Sequence, residues 1–168
     1  KEVGKRAKIN MTGGELEYGF VAGDKTFEVF ETEYGKVGIA ICWDKHRIDI
    51  VRNLARNGAE LILIPDDNDF NGNDNFLLFA ATDSVFRAAE NGVAVSSASV
   101  SGNSMVVRPS GLVAAMTEGN QQEAAVGEVS IGGKPSLYNR FGDWFAIAVS
   151  LAAGLFAVYA LRAGRRGE

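Results

Sequence analysis

The residue best suited to covalent chemistry is Cys42, the single cysteine of the chain. It follows a continuous apolar run at residues 37–41 and precedes Trp43 and Asp44. The sulfur is therefore expected at the tip of a buried strand, outside the carboxyl end of a sheet, where α/β proteins place their ligands. A thiol is only a few per cent ionised at neutral pH and needs a base or a nearby cation before it attacks a carbonyl. His46, the single histidine, stands four residues on, which allows a Cys-His dyad. The stretch Lys45, His46 and Arg47 reads instead as the solvated start of a helix. In that case the base has to be a carboxylate, and a lysine has to hold the oxyanion of a tetrahedral intermediate. A packed core thiol is the plain alternative. One Cys and one His make no zinc cluster, one cysteine forms no intrachain disulfide, and no cofactor is implied.

The elements that would carry Cys42 follow from periodicity. Residues 26–31 alternate apolar and charged, the period of a half-buried strand, and Tyr34-Gly35-Lys36 turns the chain into the apolar strand that ends at Cys42. Ile50, Val51, Leu54 and Ala55 fall on one face of a helix over 49–57, with Gly58 as its stop. Residues 60–64 predict the next buried strand, closed by Pro65, and a polar loop over 66–75 leads to a helix over 76–90 that stops at Gly92. Further strands are expected at 93–98, 105–107, 112–115 and 124–129, with Pro109-Ser110-Gly111 as a turn. Strand and helix in alternation with short connections specify an α/β layered domain, first largely parallel and then meandering.

At 168 residues with 46% hydrophobic content, the chain supports one folded domain. A net charge of -4 and a pI near 5.1 supply no basic field, so nucleic acid is excluded as a partner. The opening Lys-Glu-Val-Gly-Lys-Arg-Ala-Lys has no apolar stretch behind it and no initiator Met, and reads as part of something longer rather than as a signal peptide. Residues 144–161 are 18 in number and uncharged, roughly 27 Å of helix against a hydrocarbon core of about 30 Å. Trp144 and Tyr159 suit the interfaces, and Arg162, Arg165 and Arg166 mark the cytoplasmic end. The alternative is an Ala-rich buried core helix. The expected division is a domain over 1–135, a juxtamembrane linker over 136–143, a transmembrane helix over 144–161 and a basic tail over 162–168.

Phe30-Glu-Thr-Glu-Tyr-Gly-Lys-Val-Gly-Ile-Ala-Ile-Cys42-Trp-Asp44 resembles the nucleophile segment of the nitrilase, or carbon-nitrogen hydrolase, superfamily. Gly58-Ala-Glu-Leu-Ile-Leu-Ile-Pro65, Arg87-Ala-Ala-Glu-Asn-Gly92, and Gly102-Asn-Ser104 with Pro109-Ser-Gly111 resemble further family blocks in the family's order. The resemblance covers residues 5–143 and implies the C-terminal part of an α-β-β-α sandwich. It also implies a Glu-Lys-Cys triad, in which Cys42 forms a thioester. Lys8-Ile-Asn-Met-Thr-Gly-Gly-Glu15 is similar to the segment where the catalytic lysine precedes a supporting glutamate, which selects Lys8 and Glu15; Lys5 is a nearby alternative, and a solvated Lys8 is the plain one. The family's first glutamate lies upstream of the lysine, before this chain begins, so the isolated chain is expected to be inactive. Arg87 and Glu90 are expected to pair with each other. Asp66, Asp67 and Asp69 depart from the small residue and substrate-facing loop usual at that place.

Within the superfamily, Tyr138-Asn-Arg-Phe-Gly-Asp-Trp144 leading into an apolar helix is similar to the closing junction of the apolipoprotein N-acyltransferases. That resemblance implies acyl transfer from a phospholipid donor through a Cys42 thioester to the amine of a lipoprotein acceptor, on the extracytoplasmic side of the membrane. Trp43-Asp44 looks as much like the soluble amidases. A membrane-tethered hydrolase of a small amide and a non-catalytic module therefore stay open.

Overall fold

The computed structural model describes residues 2–67 and 74–164. Asp69, most of the polar loop, and the tail arginines Arg165 and Arg166 lie outside the described residues. In chain order the elements are α1 (Gly13–Glu17), β1 (Val29–Thr32), β2 (Gly35–Ile39), a 3-10 turn (Cys42–His46), α2 (Ile48–Arg56), β3 (Leu61–Asp66), α3 (Asp74–Asn91), β4 (Ala94–Ser99), β5 (Met105–Val107), β6 (Val113–Met116), α4 (Leu137–Phe141) and α5 (Trp144–Gly164). The strands form one sheet in sequence order. β1 and β2 are an antiparallel hairpin, β2, β3 and β4 run parallel, and β4 to β6 meander antiparallel. The parallel connections run through α2 and α3, as parallel strands require.

Both helices cover the same face. Ile50, Val51 and Leu54 of α2 and Ala81 and Ala88 of α3 meet Ile62, Ile64, Val95 and Val107 of the sheet in one buried cluster. Each fully buried Leu, Ile or Val contributes roughly 1.5–3 kcal/mol. Side chains alternate across a strand, so Leu61 and Leu63 point to the opposite face, where Leu63 is 36% exposed. An apolar groove of about 680 Å³ runs there, lined by Val37, Ile39, Leu61 and Leu63. β2 was expected to be buried on both faces; Val37 and Ile39 are half-buried because helices cover one face alone. The result is a helix layer on a mixed sheet, as expected for one half of an α-β-β-α sandwich.

Other departures from the periodicity have local causes. Pro65 lies inside β3 rather than closing it, opposite Ala98 of β4. Leu63 turns its carbonyl toward β2 and accepts from Ala40 N at 3.0 Å. Two residues on, Pro65 faces the same side beyond the end of that ladder, where its missing N–H costs no bond. Residues 124–129 form no strand: Gly127 lies against the side chains of Val106 and Ala114, across the sheet face rather than along an edge. The opening segment, which has no predicted element, contains α1. Residues 136–143, read as a linker, contain α4, whose Asn139 is 1% exposed. Asn139 Nδ2 donates to Asn91 Oδ1 at 2.8 Å, and Arg56 Nε donates to the Asn139 carbonyl at 2.9 Å. α5 then leaves the domain with its apolar side chains exposed throughout.

Candidate active site

Cys42 begins the 3-10 turn just past the carboxyl end of β2, as its place after an apolar run predicts. Its φ is +50°, a left-handed conformation that costs a non-glycine residue about 1–3 kcal/mol and clusters at functional sites. The thiol is half-buried, and Sγ lies 3.7 Å from the carbonyl of Asp67, which follows β3. The ends of two parallel strands thus frame the sulfur.

Asp44 fixes the turn. It is fully buried, and its carboxylate accepts from Ile41 N at 3.0 Å, Ile9 N at 3.1 Å and Asn10 N at 2.6 Å. Asn10 Nδ2 in turn donates to the Trp43 carbonyl at 2.8 Å. Backbone N–H groups satisfy this buried charge, and they stitch residues 9 and 10 to the cysteine turn. Lys8 is carried with them. Its Nζ meets both oxygens of Glu15 at 2.6 and 2.8 Å, with the Lys8 side chain only 10% exposed. Glu15 is also the third residue of a capping box: Thr12 N donates to its Oε2 at 2.7 Å, and Glu15 N donates to Thr12 Oγ1 at 3.3 Å. The short helix α1 therefore serves to present Glu15 to Lys8.

The electrostatics separate the three residues singled out from the sequence. Burial pushes the Cys42 thiol above 9.0 and the Asp66 carboxylate pushes the same way, while the backbone of Asp67 and the Lys8 cation oppose them. The sulfur is thus protonated at neutral pH and requires a base to become a nucleophile. Glu15 is held below its ordinary value of 4.5, chiefly by Lys8 and then by the Thr12 backbone. An ionised glutamate locked to a lysine positions that lysine and is poorly placed to take a thiol proton. Glu15→Gln tests the pair. A depressed folded pKa contributes stability that is present above 4.5 and lost as pH falls through the folded value. The wild type is therefore expected to exceed Glu15→Gln by about 1 kcal/mol at pH 7 in urea unfolding, with the gap closing under acid.

Two readings of the sequence are corrected. His46 makes no dyad: its Nδ1 pairs with Asp83 of α3, and its ring packs edge-on against Trp43 with centroids 4.3 Å apart. Among the described contacts, none joins it to Cys42. Lys45 is not solvated; it is fully buried and ion-paired with Asp66. Arg87 pairs with Glu90 at 3.0 Å as expected, and it also donates to the Lys45 carbonyl at 3.2 Å. Sequence reasoning missed Lys45 and Asp66 because a charge run is normally solvated, and their partnership spans 21 positions.

A mixed sheet with helices on one face, and a strained cysteine at the tip of a parallel strand, define an α/β domain of the nitrilase type. The profile of the carbon-nitrogen hydrolase family matches residues 1–133, and the chain belongs to that family. It is 30% identical over 132 residues to the apolipoprotein N-acyltransferase of Geobacter metallireducens, covering 79% of this chain and 25% of that protein. It is 43% identical over 53 residues to the N-carbamoylputrescine amidase of Solanum lycopersicum, covering 32% and 18%. The crystal structure of a carbon-nitrogen hydrolase from Helicobacter pylori G27 superposes with a TM-score of 0.68 at 22% identity, over 76% of this chain and 51% of that one. The chain thus spans about a quarter or less of these curated relatives and about half of the solved structure.

Proposed function

We propose that this chain carries the nucleophile side of a membrane-anchored N-acyltransferase, which moves a fatty acyl group from a phospholipid to a lipoprotein N-terminal amine through a Cys42 thioester. The observation that carries this reading is α5. Its 20 residues Trp144–Ala163 form an apolar, exposed helix about 30 Å long, matched to a bilayer core. Two residues separate it from α4, which Asn139 and Ser136 tie to the end of α3. With α5 across the bilayer and its arginines on the cytoplasmic side, the domain sits on the other side, near the surface where phospholipid esters lie. The similarity over 79% of the chain to an apolipoprotein N-acyltransferase supports the same reading.

In this mechanism a base removes the thiol proton and Sγ attacks the ester carbonyl. Lys8, steadied by Glu15, neutralises the oxyanion. Collapse breaks the ester C–O bond and releases the lysophospholipid alkoxide, which takes up the proton. The acceptor amine then attacks the thioester, an amide forms, and the thiolate leaves to recover a proton. Amide hydrolysis is the second reading, favoured by the 43% identity to an amidase; there Sγ attacks an amide, and water discharges the thioester.

The two readings separate by mass. The full-length protein in phospholipid vesicles is expected to gain one fatty-acyl mass on Cys42 and lose it when an amine-bearing lipopeptide is added. A folded, membrane-bound protein that gains no acyl mass overturns the transferase reading.

A further inference from the structure

The contact that the family chemistry leaves unexplained is the buried pair between Lys45 and Asp66. Lys45 belongs to the turn that Cys42 opens, and Asp66 ends β3. Their side chains are 1% and 2% exposed. Arg87, reaching from α3, holds the Lys45 carbonyl, which fixes the turn from which the lysine side chain extends. Apolar residues of similar volume often serve stability as well as a buried ion pair or better, so packing does not account for these two charges. Their neighbour does. Asp67, the residue after Asp66, gives its carbonyl to Cys42 Sγ at 3.7 Å. The Asp66 carboxylate, at the end of the same strand, pushes the thiol's pKa up. A lone carboxylate in that place would oppose any negative charge on sulfur.

We propose that Lys45 is a positioning residue that neutralises Asp66 beside Cys42. The thiol can then ionise when a base takes its proton, without an uncompensated carboxylate beside it. The charged groups around the sulfur are Lys8 from the opening segment, Asp44 and Lys45 from the turn, and Asp66 and Asp67 from the end of β3. Asp44 is satisfied by backbone N–H groups and Lys8 by Glu15. Asp67 is exposed, Asp66 is the carboxylate that pushes the thiol up, and Lys45 is the cation buried against it. The inference rests on the reading of Cys42 as nucleophile. Its test reads the acidity of the thiol alone, so failure of acyl transfer would not imitate failure here.

The test is alkylation of the full-length protein in detergent micelles with iodoacetamide, followed by peptide mass from pH 6 to 11. Reading the mass on the peptide that contains Cys42 makes the label specific, and iodide leaves as the C–S bond forms. Lys45→Met is expected to raise the midpoint by about one pH unit, slowing the reaction about tenfold at pH 8. Asp66→Asn is expected to lower the midpoint by a similar amount, and the double variant to return near the wild type. A turn that merely loosened would expose the thiol and move both single variants toward the free-cysteine value. Shifts in the same direction, or no shift in either, overturn the proposal. Should Lys45→Met fail to fold, Asp66→Asn decides alone, and a midpoint that does not fall overturns it.

Discussion

Cys42→Ala is expected to form no acyl adduct and to unfold within about 1 kcal/mol of the wild type, whereas Cys42→Gly is expected to lose the adduct and be more stable than Cys42→Ala by about 1 kcal/mol. The thiol is half-buried, so removing sulfur forfeits little packing. The backbone is another matter. At φ +50° both cysteine and alanine carry the steric cost of the left-handed region, which glycine escapes. Glycine gives part of that gain back through its larger unfolded-state entropy. The strain is imposed from outside, because Asp44 pins Ile41 N on one side of Cys42 and Arg87 holds the Lys45 carbonyl on the other. Thermal unfolding and intact mass on the same three proteins measure both effects. Equal stability of the alanine and glycine variants would mean that the turn is relaxed rather than strained.

Asp44→Ala is expected to cost about 3–5 kcal/mol, because it leaves the buried amide of Ile9 and the part-buried amides of Asn10 and Ile41 without their acceptor, at roughly 1–3 kcal/mol for each unmet group. Asp44→Asn keeps one acceptor oxygen but turns an NH₂ toward at least one of those donors, so an intermediate loss is expected. The consequence for function is positional. Residues 9 and 10 are held to the cysteine turn through this carboxylate and through Asn10 Nδ2, and Lys8 travels with them. Acyl-adduct formation is expected to fall even at temperatures where the variant remains folded. Hydrogen exchange locates the effect: in Asp44→Asn the amides of residues 9, 10 and 41 should lose protection while those of β3 and β4 keep it. Uniform loss across the sheet would make Asp44 a general core residue instead.

Much of the architecture was legible because it rests on local periodicity. The apolar face Ile50, Val51, Leu54 and Ala55 fixes α2, Gly58 and Gly92 stop α2 and α3 with positive φ, and β5 falls at the expected residues 105–107. The uncharged run from residue 144 specifies α5 by composition alone. The stretch 124–129 has the composition of a strand but runs across the sheet face, with Gly127 against Val106 and Ala114. Composition sets propensity, and a ladder also needs the chain to run alongside a strand.

The site divides along the same line. Residue type and the preceding strand single out Cys42, and the family's spacing places Lys8 and Glu15, which the fold joins at 2.6 Å. What sequence could not supply is the state of the charges. Whether Lys45, His46 and Asp66 face water or each other depends on where β3 and α3 end in space, across 21 positions for Lys45 and Asp66 and 37 for His46 and Asp83. Periodicity determined which elements form and where the thiol emerges, because both are properties of a short stretch of chain. Tertiary structure decided which charges are buried and paired around that thiol, because solvation and Coulomb interaction depend on distance in space and not on distance along the sequence.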